Sequence, residues 1–173
     1  MIIVEGMDNT GKTTLVRKLT SMLPLRKYKS PGPDIGEAEQ IEWVRDRLED
    51  TDEWVIFDRF PLISEPIYGS NIRGQHNFED PSKQYLYDIF KNKKPLVIYC
   101  RPPRDKILSF EDGRIQMDGV KLKGANLISD YDKMITDIKE EGINTVIYDY
   151  TTHSVNPVYL EVCNYLGIKK EDD

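Results

Sequence analysis

A glycine-rich segment constrains the fold of this chain more than any other feature. The segment Gly6-Met7-Asp8-Asn9-Thr10-Gly11-Lys12-Thr13-Thr14 matches the pattern GxxxxGK[ST] at every fixed position. It follows a short apolar run, residues 1–4, and precedes residues 12–22, which have helical spacing. Glycines let a backbone wrap closely around phosphate oxygens, and the free amides of a helix N-terminus attract anions. The segment therefore predicts a phosphate-binding loop for a nucleoside triphosphate.

ATP and Mg²⁺ are the predicted cofactors of this loop. Lys12 is expected to reach the β- and γ-phosphates, and the hydroxyl of Thr13 is expected to bind the Mg²⁺ ion that bridges them. Asp58 ends the apolar run 54–57 and is the carboxylate expected to hold the metal with Thr13. The residues predicted to contact ATP are Met7, Asp8, Asn9, Thr10, Gly11, Lys12, Thr13 and Thr14.

Strands and helices are predicted to alternate along the chain. Short apolar runs predict buried strands at residues 1–4, 54–57, 96–100 and 145–148, with a weaker one at 23–28. Helical spacing predicts helices at residues 12–22, 37–48, 82–90, 127–139 and 155–166. Such alternation favours a three-layer α/β/α fold around a five-stranded parallel sheet. The 173 residues fit a single domain, residues 1–173.

Composition limits the partners of this domain. The net charge of -6 argues against broad binding to nucleic acid or to an anionic membrane. No stretch approaches the ~20 apolar residues of a membrane span, and no secretory leader is evident, so we expect a cytoplasmic protein. The two cysteines and two histidines lie far apart in the sequence, which predicts no zinc site.

Basic residues concentrate in one part of this acidic chain. Residues 91–123 contain nine basic and four acidic side chains, and glycines interrupt the second half of this window. We predict a lid at approximately residues 105–124 that folds over the bound nucleotide. Arg114 is the preferred catalytic cation of the lid, ahead of Arg104, Lys121 and Lys123. The alternative is a solvated basic surface.

Arg59 indicates which chemistry the loop serves. The chain lacks the Asp-x-x-Gly and Asn-Lys-x-Asp segments of a GTPase, and an arginine directly follows Asp58. Transfer of a phosphoryl group to a monophosphate brings two anions together, so the acceptor side needs a cation. A guanidinium can hold a phosphate through two hydrogen bonds. Arg59 is therefore predicted to be catalytic, the alternative being a surface pair with Asp58.

Four segments resemble the thymidylate kinase-like branch of P-loop nucleoside monophosphate kinases. They are Glu5-Gly6-Met7-Asp8, similar to the family's E-G-x-D loop; Lys29-Ser30-Pro31-Gly32, where the family has R-E-P-G; Asp58-Arg59-Phe60 with Ser64 and Tyr68, similar to D-R-Y/H-x-x-S-x-x-x-Y; and Arg101-Pro102-Pro103 after the run 96–100, like the strand that enters the family's lid. The resemblance implies ATP-dependent phosphorylation of a deoxynucleoside monophosphate, with dTMP as the first candidate, and a homodimer.

The resemblance also implies roles for single residues. Asp8 would contact the 3′-hydroxyl of the deoxyribose, and Tyr68 would pack near the 2′ position. Some family members carry a catalytic arginine inside the loop, where this chain has Asn9. The lid must then supply the arginine. The predicted substrate-binding residues are Asp8, Lys29, Pro31, Trp43, Arg47, Arg59 and Tyr68.

The chain departs from the family between Gly32 and Asp58, where only 25 residues intervene. Family members use this stretch to contact the thymine base. Here one helix replaces it, and Trp43 can either stack on a base or belong to the core. Two rival functions stay open: a deoxynucleoside kinase, which needs a carboxylate base where this chain has Lys29-Ser30-Pro31, and a non-enzymatic nucleotide sensor or regulatory ATPase.

Overall fold

A computed structural model describes residues 1–32, 35–50, 52–109 and 120–168 of the chain. The strands are β1 Ile2–Glu5, β2 Arg26–Lys29, β3 Val55–Asp58, β4 Leu96–Cys100 and β5 Thr145–Tyr148. The helices are α1 Lys12–Met22, α2 Glu37–Glu49, α3 Pro61–Tyr68, α4 Gln84–Lys93, α5 Arg104–Ser109, α6 Val120–Glu140 and α7 Asn156–Tyr165. A π-helical turn, Gly69–Arg73, continues α3, and a 3₁₀ turn, Pro81–Lys83, precedes α4.

The five strands form one parallel sheet in the order β2-β3-β1-β4-β5. Strand β1 is central, and all four of its residues are buried because helices cover both faces of the sheet. Helices α1 and α7 pack on one face around Leu15 and Val162. Helices α2, α3, α4 and α6 pack on the other face around Phe57 and Phe60. This arrangement confirms the predicted three-layer fold with a five-stranded parallel sheet.

Helix α3 was not predicted from the sequence. Seven of its eight residues are buried, so the segment lacks the polar face that normally reveals a surface helix. Pro61 occupies the first turn, where proline is tolerated, but Pro66 lies inside the helix, where its ring removes a backbone donor. Tertiary packing on both sides therefore stabilises a helix that local sequence disfavours.

The predicted lid overlaps two helices. Its first part belongs to α5, and residues 120–124 begin α6, although the sequence predicted no helix at either place. Gly124 interrupts no helix: a Cβ at this position would lie 2.7 Å from Leu108 Cδ2 and 3.2 Å from Met7 Cε, so α5, α6 and the glycine-rich loop pack closely there. Arg114 lies outside the described residues.

The stretch between Gly32 and Asp58 holds α2 as its one described helix, as predicted, and this helix packs against the sheet through Val44 and Leu48. No helix in the described part of the chain combines the length and the apolar character needed to cross a membrane.

Candidate active site

The carboxyl ends of β1, β3 and β4 meet at one edge of the sheet, and the glycine-rich loop follows β1 at this edge. The loop requires glycine at Gly6, where φ is +143° and a Cβ would lie 2.6 Å from the carbonyl oxygen of Cys100. Gly11 has φ +85° and begins α1 as its N-cap residue. Left-handed backbone of this kind is open to glycine at little cost. The loop therefore folds tightly between β4 and the N-terminus of α1.

Lys12 is buried at the start of α1. Its Nζ atom donates a hydrogen bond of 2.5 Å to the carbonyl oxygen of Met7, so the side chain curls back over the loop. Burial, with a smaller contribution from the nearby guanidinium of Arg59, lowers the pKa of Lys12 to about 8. No carboxylate in the described part of the chain forms an ion pair with this ammonium, whose acceptor is the carbonyl oxygen of Met7. An incoming anion would therefore stabilise the buried charge, as the predicted contact with ATP phosphates requires.

Thr13 and Asp58 lie together at the same edge. The hydroxyl of Thr13 donates a hydrogen bond of 2.8 Å to Oδ2 of Asp58, which is a buried side chain at the end of β3. A hydroxyl and a carboxylate are the hard oxygen ligands that Mg²⁺ prefers, with the remaining positions filled by water and phosphate oxygens. The two side chains therefore fit the predicted metal site.

Arg59 lies in a strained backbone conformation, with φ +70°. The structure pairs its guanidinium with the carboxylate of Asp8 rather than with Asp58. Nη1 donates to the hydroxyl of Tyr131 at 2.8 Å, and Nη2 donates to the hydroxyl of Tyr68 at 3.0 Å. The guanidinium carbon also lies 4.7 Å from the centre of the Tyr68 ring. Arg59 is thus held in one orientation beside the glycine-rich loop.

Asp8 and Tyr68 are joined to each other as well as to Arg59. The backbone amide of Asp8 donates to the hydroxyl of Tyr68 at 3.2 Å. Burial raises the pKa of Tyr68, so this phenol stays protonated. Both residues were predicted to bind substrate, and the structure brings them together at the guanidinium of Arg59.

Two further residues of this site were not predicted to be functional. Glu5, the last residue of β1, is completely buried, and burial raises the pKa of its carboxyl. Its Oε1 accepts a hydrogen bond of 2.6 Å from the amide of Phe60, and its Oε2 accepts one of 3.1 Å from the hydroxyl of Tyr131. Tyr131 lies on α6, more than 70 residues from Arg59 in the sequence. In the sequence, an acidic residue stands between the apolar run 1–4 and the glycine-rich loop, and this is the signal that could have identified Glu5.

The remaining predicted substrate residues lie around β2 and α2. Lys29 is exposed at the end of β2, beside Asp58 in the strand register, and Pro31 is half-buried in the following loop. Trp43 is half-buried, with its ring 5.9 Å from that of Phe60. The guanidinium carbon of Arg47 lies 4.6 Å from the centre of the Tyr28 ring. Trp43 thus contacts the core, and the role of this group toward a substrate stays a prediction.

Arg101 directly follows β4 and is tied to α6. Its Nε and Nη2 atoms donate to the two carboxylate oxygens of Asp132 at 2.8 and 3.0 Å. The hydroxyl of Tyr99 donates to the same carboxylate at 2.7 Å. These contacts dock α6 on the carboxyl end of β4, next to Tyr131.

The sheet order, the glycine-rich loop after β1 and the pair of Thr13 with Asp58 define a P-loop kinase fold. No protein-family model and no curated protein matches the sequence. Solved structures match nearly the whole chain. The YorR protein from Bacillus subtilis, in complex with phosphorylated GDP, is 18% identical with a TM-score of 0.75, over 96% of this chain and 95% of that one.

Deoxyadenosine kinase from M. mycoides with bound dATP is 16% identical with a TM-score of 0.63, over 96% of this chain and 98% of that one. The same kinase with the products dCMP and dCDP gives 19% identity and a TM-score of 0.60, over the same shares of the two chains. These neighbours support the P-loop kinase fold. They do not single out thymidylate kinases.

Proposed function

We propose that this protein transfers the γ-phosphoryl group of ATP to a deoxynucleoside monophosphate, with dTMP as the first candidate acceptor. The observation that carries the proposal is the guanidinium of Arg59, which Asp8, Tyr68 and Tyr131 hold beside the glycine-rich loop. Phosphoryl transfer between two anions depends on positioned cations more than on a strong base. An arginine fixed on the acceptor side of the loop supplies such a cation.

The described residues of the site have separate roles in the proposed transfer. Lys12 binds the β- and γ-phosphates of ATP, and Arg59 binds the phosphate of the acceptor, so the two anions are held in line. Thr13 and Asp58 would hold Mg²⁺, which neutralises charge on the transferred group when it is bound. We propose Arg114 as the cation that reaches this group from the lid.

A deoxynucleoside kinase is the second candidate, and the likeness to deoxyadenosine kinase over 98% of that chain favours it. Such an enzyme must deprotonate a neutral 5′-hydroxyl, which calls for a free carboxylate. Asp8 is engaged by Arg59, and Asp58 is engaged by Thr13. The end of β2, where the base of such kinases is expected, has Lys29-Ser30-Pro31 instead. These features favour a charged acceptor.

A panel of acceptors tests the proposal. Labelled ATP and Mg²⁺ are combined with each deoxy- and ribonucleoside monophosphate, guanine nucleotides included, and with each matching nucleoside. We expect label on a deoxynucleoside monophosphate, dTMP first. Labelling of nucleosides alone would contradict the proposal and support a deoxynucleoside kinase. ADP release that no acceptor stimulates would indicate a nucleotide sensor or regulatory ATPase.

Two lysine variants show whether the glycine-rich loop carries the reaction. Lys12→Ala should abolish transfer, whereas Lys18→Ala removes an exposed lysine of the same helix and should leave transfer unchanged. Equal rates in the two variants would contradict the assignment of the loop.

A further inference from the structure

The carboxylate of Glu5 lies under the acceptor side of the site and connects three segments. One oxygen accepts from the amide of Phe60, the residue that follows Arg59. The other accepts from the hydroxyl of Tyr131 at 3.1 Å and from the amide of Gly6 at 3.3 Å. The beginning of the glycine-rich loop, the backbone after Arg59 and helix α6 are therefore all hydrogen-bonded to one buried acid.

The hydrogen-bond chemistry of arginine determines the direction of this chain of contacts. A guanidinium has donors and no acceptor. The hydroxyl of Tyr131 must therefore accept from Arg59, so its own proton points to Glu5. A carboxylate is the partner that accepts this proton, and burial of Tyr131 excludes water as a substitute.

We propose that Glu5 and Tyr131 are positioning residues that aim Arg59 at the acceptor phosphate. This inference rests on the proposed function, in which Arg59 binds that phosphate. Neither residue touches substrate: Glu5 orients the Tyr131 hydroxyl, and the hydroxyl fixes Nη1 of Arg59.

Tyr131→Phe removes this hydroxyl and keeps the ring. We expect the KM for the acceptor to rise roughly fivefold to twentyfold, as for loss of a hydrogen bond to a charged group, with the KM for ATP unchanged. Tyr99→Phe is the matched control, because its ring stacks on that of Tyr131 at 6.0 Å but its hydroxyl bonds to Asp132 instead. Equal shifts in both variants, or equal shifts in both KM values, would show a structural role and overturn the proposal.

Glu5→Gln tests the direction of the contacts without changing the volume of the side chain. A glutamine amide cannot accept from both Phe60 and Tyr131: in one orientation its NH₂ group faces the amide of Phe60, and in the other it donates to Tyr131 and reverses the phenol. We expect the same selective rise in the acceptor KM as in Tyr131→Phe. An acceptor KM equal to that of the parent protein would count against Glu5.

A measurement without substrate separates this inference from the proposed function. In ¹⁵N-arginine NMR spectra, the Nη1 protons of Arg59 should exchange slowly in the parent protein and in Tyr99→Phe, and rapidly in Tyr131→Phe, whereas Nη2 keeps its bonds to Asp8 and Tyr68 in all three. The Arg59→Lys spectrum identifies the signal. Slow exchange retained in Tyr131→Phe would disprove the positioning role, whatever acceptor the enzyme uses. Failure of the acceptor panel would disprove only the proposed function.

Discussion

Thr13 and Asp58 are 45 positions apart in the sequence, yet a hydrogen bond of 2.8 Å joins the hydroxyl of one to the carboxylate of the other. The parallel pairing of β1 with β3 creates this contact, because it brings the ends of both strands to the edge where the glycine-rich loop begins. The predicted metal-binding pair and the proposed acceptor arginine, Arg59, thus lie at one edge of the sheet.

Replacement of Asp58 by asparagine should weaken Mg²⁺ binding more than it affects folding. The amide oxygen can still accept from Thr13, but the negative charge that attracts the cation is lost. We expect the Mg²⁺ concentration for half-maximal activity to rise about tenfold or more. Initial rates over a Mg²⁺ titration measure this, with Asp137→Asn, on the exposed face of α6, as the control. An unchanged Mg²⁺ requirement would exclude Asp58 as a ligand.

Lys12→Met should stabilise the protein while it removes activity. The pKa of Lys12 is lowered to about 8 in the folded state, so at neutral pH the buried charge opposes folding. We expect a thermal midpoint a few degrees higher without nucleotide, and a loss of about 10²- to 10³-fold in kcat. Thermal melts and turnover of Lys12→Met and Lys18→Met test both parts. A lower midpoint for Lys12→Met than for Lys18→Met would contradict the burial argument.

ATP affinity should fall as the pH rises through the pKa of Lys12. The charged ammonium binds phosphate, and a group with a pKa of about 8 loses its proton within the alkaline range in which ATP is already fully ionised. The apparent Kd should increase roughly eightfold from about pH 7.5 to about pH 9, whereas a lysine with its ordinary pKa would change it by only about 4%. Calorimetry in two buffers should also detect proton uptake on binding near pH 8. A flat Kd over this range would show that Lys12 titrates normally.

Arg59→Gly should give a more stable protein than Arg59→Ala, although both lose the guanidinium. The backbone at this position has φ +70°, which glycine adopts freely and alanine does not. We expect a difference of about 1 kcal/mol in the free energy of unfolding, measured with urea. Acceptor-dependent turnover should be lost equally in both variants. Equal stability would mean that the backbone at position 59 relaxes when the arginine is removed.

Local patterns predicted much of this structure. The apolar runs predicted β1, β3 and β4 closely, because parallel strands buried on both faces consist of consecutive apolar residues. The weaker run at residues 23–28 only overlaps β2, which is a mostly exposed edge strand. The pattern GxxxxGK[ST] predicted a tight loop before a helix, with Lys12 and Thr13 at the start of that helix. Helix α3 was missed because it is buried on almost every side and contains an internal proline.

The sequence by itself determined the fold class and predicted a site for a nucleoside triphosphate, since both depend on contiguous residues with strong local preferences. The tertiary structure alone decided the partners of Arg59. Asp8, Tyr68 and Tyr131 reach it from a loop and two helices, and the carboxylate of Glu5 lies behind them. Contacts between such distant residues follow from the crossing of packed elements, which no local spacing encodes.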